Sequence, residues 1–319
     1  MTTDRGHAPV LLDEVLELLT PGEGETYVDG TAGLGGHAAA VSVRVGPSGR
    51  VVLNDLDPGN LAQAQAFVRG VEGGAGTVEA IHGPFDELPA RLADAGTRAD
   101  SVLLDLGFAS TQVDDAERGL SFKRDGPLDM RLDPGGPITA ADLVSSLDER
   151  ELADVIYRFG EERASRRIAR KIVEVRKAEP ITTTGRLAEL VRSAFPRQGS
   201  RPGSRRGPRI DNATRTFQAL RIAVNDEIGR LERLLASLEV EAGAIAQGRG
   251  TWLNPGARVA VISFHSLEDR PVKQAFRGLV DRGLAGALTR KPLVAGDGER
   301  DTNPRARSAK LRGVMLPGQ

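Results

Sequence analysis

The chain has 319 residues, 39% of them apolar and 27% charged, with a formal net charge of −1. That length builds one large domain or two ordinary ones, and no apolar run approaches the roughly 20 residues of a membrane span, so the composition reads as soluble and globular. The absence of cysteine excludes disulfides, thiolate metal sites and any cysteine nucleophile, and the near-neutral total gives no global sign of nucleic-acid binding.

Residues 10–19 predict a helix with Val10, Leu11, Val15, Leu18 and Leu19 on one side, stopped by Pro21-Gly22. The same segment carries Asp13, Glu14 and Glu17, which no signal-peptide core would hold, so a cytoplasmic enzyme without membrane association is the expectation. Thr26-Tyr27-Val28-Asp29 reads as a strand feeding Gly30, Gly33, Gly35 and Gly36. A second strand spans 50–55, with a helix over 61–69, and residues 78–82 and 101–105 supply two more strands. Strands alternating with helical segments predict an α/β fold, a doubly wound and mainly parallel sheet of Rossmann-like type.

Val102-Leu103-Leu104 runs straight into Asp105 and then into a polar stretch, 106–133, dense in Gly, Ser, Asp and Arg. Ligands of open α/β sheets bind beyond the carboxyl ends of the strands, so Asp105 faces the expected crevice. From about 142 to 195 the pattern is helical without strands, which predicts an inserted α-helical domain. The expected boundaries are 1–110 and 213–319 for the two parts of the sheet domain and 111–212 for the insert.

Within 161–177, Ala164, Ile168, Ile172 and Val175 form an apolar stripe, while Arg163, Arg167 and Arg170 share another face. Residues 197–209 carry five arginines and no acid among Gly, Ser and Pro, which suits either phosphate contact or a plain linker. One long helix is predicted from 213 onward, with Phe217, Leu220, Val224, Ile228, Leu231, Leu235 and Leu238 as its core stripe. Residues 258–264 form a strand returning to the sheet, followed by His265 and another helix, and 310–316 offers a final strand.

The turn Asp29-Gly30-Thr31-Ala32-Gly33-Leu34-Gly35-Gly36 lets a ligand approach the backbone closely. Asp55 ends the second strand, 20 residues past Gly35, where an acid accepts hydrogen bonds from ribose hydroxyls. The two together indicate a nucleoside. An acid just before the glycines, Asp29, favours S-adenosylmethionine, but Gly33-x-Gly35-x-x-Ala38 also fits the relaxed dinucleotide fingerprint, so NAD stays a rival. Phe85, after the third strand, is either an adenine-stacking surface or ordinary core.

Residues 29–37, 82–85, 103–133, 159–170, 213–225, 262–270 and 303–307 together closely resemble the bacterial ribosomal RNA small subunit methyltransferase H family, also called MraW. The most specific pieces are Asp114-Asp115-Ala116-Glu117-Arg118-Gly119, Asp125-Gly126-Pro127-Leu128-Asp129-Met130-Arg131 and Ser263-Phe264-His265-Ser266-Leu267-Glu268-Asp269-Arg270. The resemblance implies methyl transfer from S-adenosylmethionine to the N4 amine of a cytosine in 16S ribosomal RNA, at cytosine 1402 of the decoding region. It also implies the small ribosomal subunit as partner, with a homodimer left open, and donor contacts at Gly35, Gly36, His37, Asp55, Phe85, Asp105 and Gln112. Where the family usually reads Ser-Ser-Pro-Gln, this chain has Ala109-Ser110-Thr111-Gln112, which puts the loop around Gln112 in question.

Carbon-5 methylation of a pyrimidine needs a cysteine adduct and is therefore excluded, whereas an exocyclic amine requires only orientation and an acceptor for its N–H. Asp105 is the first candidate catalytic residue, with Ser110 or His265 assisting. Asp105-Leu106-Gly107-Phe108 lacks the two prolines that follow this position in many amino methyltransferases of DNA. His265 serves either the crevice or merely the order of its own turn, and the four histidines lack metal-ligand spacing, so no metal is expected. Arg163, Arg167, Arg170, Arg201, Arg205 and Arg206 are the candidate RNA contacts. An NAD-dependent dehydrogenase and a non-catalytic RNA-binding factor remain the rival functions.

Overall fold

The computed structural model describes residues 9–195 and 211–318. The strands are β1 (Thr26–Asp29), β2 (Arg50–Asp55), β3 (Thr77–His82), β4 (Ala99–Asp105), β5 (Leu253–Ser263), β6 (Gly286–Ala287) and β7 (Lys310–Met315). They form one sheet in the order β3-β2-β1-β4-β5-β7-β6, parallel from β3 through β5, with β7 antiparallel to β5 and β6. The doubly wound Rossmann-like expectation is borne out.

Alternation along the strands explains why both faces are covered. Val28, Val52, Val102, Leu104, Val259 and Val261 pack with Leu231, Leu234, Leu235 and Leu238 in one core. Tyr27, Val51, Leu53, Leu103, Ala260 and Ile262 point the other way, into a core shared with Val15, Leu19, Val41, Ala64 and Val68. A sheet buried on both faces needs the near-continuous apolar runs that made β2 and β4 legible.

The chain divides into two compact units, Met1–Gly107 with Ile228–Gln319, and Phe108–Glu227. In the second unit the helices Ala140–Ser146, Glu149–Gly160, Ser165–Arg176, Thr184–Ser193 and Ala213–Asn225 surround Leu152, Ile156, Ile168, Ile172, Leu187, Val191 and Phe217. Thr139 and Asp148 cap two of these helices by accepting from the amides of Asp142 and Glu151. The helix Ala213–Asn225 packs in this core, whereas the sequence boundary at 212 assigned it to the sheet.

The single helix expected from 213 onward is two helices. Asp226 adopts φ 49, closing Ala213–Asn225, and a new helix runs Glu227–Ile245. The apolar stripe continues through the break, so periodicity alone could not reveal it. The break lies beside Asn225, whose amide donates to the Met130 carbonyl at 2.8 Å and whose Oδ1 accepts from the Leu132 amide at 2.8 Å. No described helix is long and apolar enough to cross a membrane.

Candidate cofactor site at the sheet switch point

Strand order runs outward from β1 to β3, then restarts at β4 on the other side of β1, so the connections that leave the carboxyl ends of β1 and β4 run to opposite sides. Asp29 and Asp105 end those two strands, and the Gly30 amide bonds the Leu103 carbonyl at 2.8 Å across the gap. Two carboxyl groups therefore face the crevice where this topology places a ligand.

The turn after β1 is braced from beneath. Asn54, the buried polar residue of β2, donates to the carbonyls of Gly30 (2.9 Å) and Gly83 (3.1 Å). The Thr31 hydroxyl accepts from the Asp105 amide at 2.6 Å, and the Thr31 amide donates to Asp29 Oδ1 at 3.2 Å. Asp55 accepts from the amides of Gly33 (2.7 Å) and Asp57 (2.8 Å), which leaves carboxylate lone pairs for a ribose hydroxyl.

Glycine is required at position 35, where φ is 83 and an added Cβ would lie 3.0 Å from the Ala64 Cα. The helix Gly36–Val45 that follows has no side-chain cap and no acid in its first turn. Its amide end therefore favours electronegative ligand atoms.

Burial dominates the titration of the cluster. It raises Asp29 to about 7, with the Asp55 charge adding, and raises Asp55 to about 6. Asp105 is pushed up to about 8 by burial and then by the charges of Asp29 and Glu268, with Arg305 opposing. Its Oδ1 is buried without a hydrogen-bond partner among the described residues. His37, lowered to about 4 by burial, has Nε2 2.9 Å from the Val10 carbonyl. A carbonyl only accepts, so Nε2 carries the hydrogen and Nδ1, 3.8 Å from Asp105 Oδ2, is the bare nitrogen.

Gly35, Gly36, His37, Asp55 and Asp105 thus gather in the sheet unit. Phe85 opens a short turn, Phe85–Glu87, and is half-buried against the core, which leaves part of its ring exposed. His265 precedes the helix Ser266–Asp281, where the Phe264 and His265 amides donate to Glu268 Oε2 (2.7 and 3.3 Å). Its Nε2 lies 3.2 Å from Glu268 Oε1, the carboxylate whose charge bears on Asp105.

Gln112 and Ser110 belong to the helical unit. Gln112 is buried and its Oε1 accepts from the Ala109 amide at 2.8 Å; Ser110 opens the helix Ser110–Asp114, and its side chain is outside the description. Arg163 and Arg167 line one open cleft, whereas Arg170 pairs with Glu149 at 3.3 Å. Arg201, Arg205 and Arg206 lie outside the described residues.

The residue reading missed Thr31, Asn54 and Arg305 as parts of the site. Asn54 is an amide inside an apolar strand, and Thr31 and Arg305 fall within the runs 29–37 and 303–307, but nothing in those strings shows what the side chains meet in the fold. Charged residues of the most specific motif strings bond within the protein: Arg131 forks onto Asp129 (2.8 and 2.6 Å), and Arg118 donates to the carbonyls of Arg131 and Leu132. Asp125 accepts from the Gly185 amide at 2.7 Å, and Asp269 holds Arg312 (2.7 Å) and Lys310 (3.3 Å) of β7.

The signature of the MraW methylase family matches residues 4–315. The chain belongs to that family. The ribosomal RNA small subunit methyltransferase H of Acidobacterium capsulatum is 44% identical over 309 residues, 96% of this chain and 97% of that one. The protein of the same name from Granulibacter bethesdensis is 43% identical, over 97% of this chain and 90% of its own. Among solved structures, a putative ribosomal RNA methylase from Clostridium thermocellum aligns with 97% of this chain and 99% of its own, at 13% identity and a TM-score of 0.41.

MraW membership removes the nicotinamide reading, and the donor is S-adenosylmethionine. The residues present fit it: an uncapped helix end, an acid with spare lone pairs at Asp55, and an unpartnered buried oxygen on Asp105.

Proposed function

We propose that the protein transfers a methyl group to the N4 amine of a cytosine in 16S ribosomal RNA of the small subunit, at cytosine 1402 in the decoding region. The names of the relatives support ribosomal RNA of the small subunit as substrate. The observation that carries the amine chemistry is Asp105, whose unpartnered oxygen sits at the switch point. The lack of cysteine removes the carbon-5 alternative.

S-adenosylmethionine, when bound, supplies an electrophilic methyl group on a sulfonium. Asp55 would hold its ribose, and the amides at the start of Gly36–Val45 together with Asp29 would hold the polar end of the donor. Asp105, in its ionised form, would accept an N–H hydrogen bond from the cytosine amine, orient its lone pair and take the proton the amine releases as its bond to the methyl carbon forms and that carbon's bond to sulfur breaks. Glu268 and Arg305 set the charge around that carboxyl group, and the His265 turn keeps Glu268 in place.

A base must leave its stack to reach such a crevice, which favours a single-stranded or junction nucleotide, and the helical unit recognises the RNA around it. This work belongs in the cytoplasm, where ribosomes assemble. Small subunits incubated with methyl-labelled donor and then digested to nucleosides test the reading. N4-methylcytidine is the expected product; label on another base or another atom of cytosine would overturn it.

A further inference from the structure

The helical unit carries a basic cleft that the donor site does not use. Glu162, Arg163, Ala164, Arg166, Arg167 and Phe195 line an open hollow of about 500 Å³, within the range of pockets that take a ligand of nucleotide size. Arg163 and Arg166 have no ion-pair partner among the described residues, and the Arg167 guanidinium lies over the Phe195 ring, 5.3 Å from its centroid. The one acid present is committed elsewhere, since Glu162 accepts from the Ala164 amide at 2.8 Å and lies 3.8 Å from Arg215.

The cleft is preformed. Its floor is the turn between Glu149–Gly160 and Ser165–Arg176, where Glu161 has φ 48 and a Cβ on Gly160 would lie 2.5 Å from the Arg215 carbonyl oxygen. Beneath it Ile168, Val191 and Ala194 are buried. The first turn of Ser165–Arg176 contains no acid, so its amide end adds to the positive field of the three guanidinium groups.

Three arginines and no lysine suit a phosphate better than a scattered acidic surface, because each planar fork can grip two oxygens. A guanidinium stacked on an aromatic ring is a platform for a base. We propose that this cleft is a nucleotide subsite for the substrate RNA, in which Arg163 and Arg166 hold a backbone phosphate and the Arg167–Phe195 pair carries an unstacked base. The proposal rests on the reading of RNA as the substrate and assigns a nucleotide other than the reacting cytosine.

The test uses the full chain, a labelled single-stranded oligoribonucleotide titrated at several salt concentrations, and steady-state methylation of small subunits. Combining Arg163→Gln with Arg166→Gln should lower the slope of log affinity against log salt by about 0.7 for each phosphate no longer neutralised. Phe195→Leu should weaken binding about tenfold with the slope unchanged. Both should raise KM for subunits while kcat, donor affinity and the thermal midpoint stay put, and Arg277→Gln, an exposed arginine of the sheet unit, should change none of these.

Methylation that proceeds normally with wild-type slope and KM in both variants overturns the subsite and leaves the catalytic reading intact. A protein that fails to methylate subunits, yet binds the oligonucleotide through Arg163 and Arg166, keeps the subsite and overturns the catalytic reading. Poly-glutamate bound as tightly as RNA, with the same sensitivity to both variants, would make the cleft a protein-docking surface and overturn the subsite.

Discussion

At the scale of single residues, three carboxyl groups held above their ordinary range and one histidine held below it make stability depend on pH in a readable way. Asp105 (about 8), Asp29 (about 7) and Asp55 (about 6) bind protons in the folded state that the unfolded chain has released above about pH 4. Each therefore stabilises at low pH and loses that contribution as pH rises through its folded value. His37 acts oppositely: the unfolded ring holds its proton up to about pH 6.5 and the folded one only to about 4, so this contribution is lost as pH falls. The two effects oppose one another between about pH 4 and 6.5. Above that the carboxyl groups act alone, and the thermal midpoint of the donor-free protein should fall between about pH 6.5 and 8 at constant ionic strength.

Asp105→Asn should flatten the upper part of that fall, because Asp29 is half-ionised at about 7 and contributes progressively less above it, whereas Asp105 titrates around 8. The same variant should lower kcat by roughly a hundredfold or more, as expected for a proton acceptor at the reacting atom. Turnover that stays at the wild-type rate would remove Asp105 from the chemistry. The donor is a cation, so its affinity should tighten across the same pH window, and more for S-adenosylmethionine than for its neutral thioether product. Calorimetric titration of both compounds at pH 6 and 8 measures the difference.

At the scale of elements, the segment 114–133 is held by hydrogen bonds among its own polar groups and to Gly185 and Asn225 rather than by periodic structure. Gly119 has φ 65, and a Cβ there would strike the Pro127 carbonyl oxygen, whereas Gly73 has φ 68 with open space around it. The pair separates backbone strain from collision. Gly73→Ala should cost about 1 kcal/mol, the left-handed penalty alone. Gly119→Ala should cost about 3 kcal/mol, because a carbonyl in a tight turn cannot move aside as a flexible side chain can. Denaturant titration of both variants gives the comparison, and equal costs would show that the turn can open. Asn225→Ala should cost about 1–3 kcal/mol by stranding the Leu132 amide and the Met130 carbonyl.

This scale also shows what a linear reading can reach. β1, β2 and β4 were legible because a strand buried on both faces must be apolar at nearly every position. Asp29, Asp55 and Asp105 were legible because each ends such a strand. Thr31 and Asn54 were not, since their work is to bond turns that are remote in sequence and meet only through the sheet register. The break at Asp226 was hidden for a related reason: one residue of left-handed backbone redirects a helix without disturbing the 3.6-residue pattern on either side.

At the scale of the whole molecule, the chain crosses between its two units twice, and each unit has buried apolar cores of its own. The proposed donor contacts Asp29, Gly35, His37, Asp55 and Asp105 belong to the sheet unit, while the basic cleft and the motif strings 114–119 and 125–131 belong to the helical one. A lesion in the helical core should therefore separate donor binding from RNA recognition. Leu152 is fully buried there among Ile156, Ile168 and Leu187, so Leu152→Ala should destabilise that unit by about 2–5 kcal/mol. Hydrogen exchange should accelerate in the helices Glu149–Gly160 and Ser165–Arg176 while amides of β1, β2 and β4 keep their protection. Donor affinity measured by calorimetry should be retained, and KM for small subunits should rise. Gln112 makes this result decisive in either direction, because it is the one expected donor contact carried by the helical unit with a described side chain. A loss of donor affinity in Leu152→Ala, absent in Gln112→Ala, would mean that the sheet unit depends on the helical core for its shape; a loss in both would assign Gln112 to the donor.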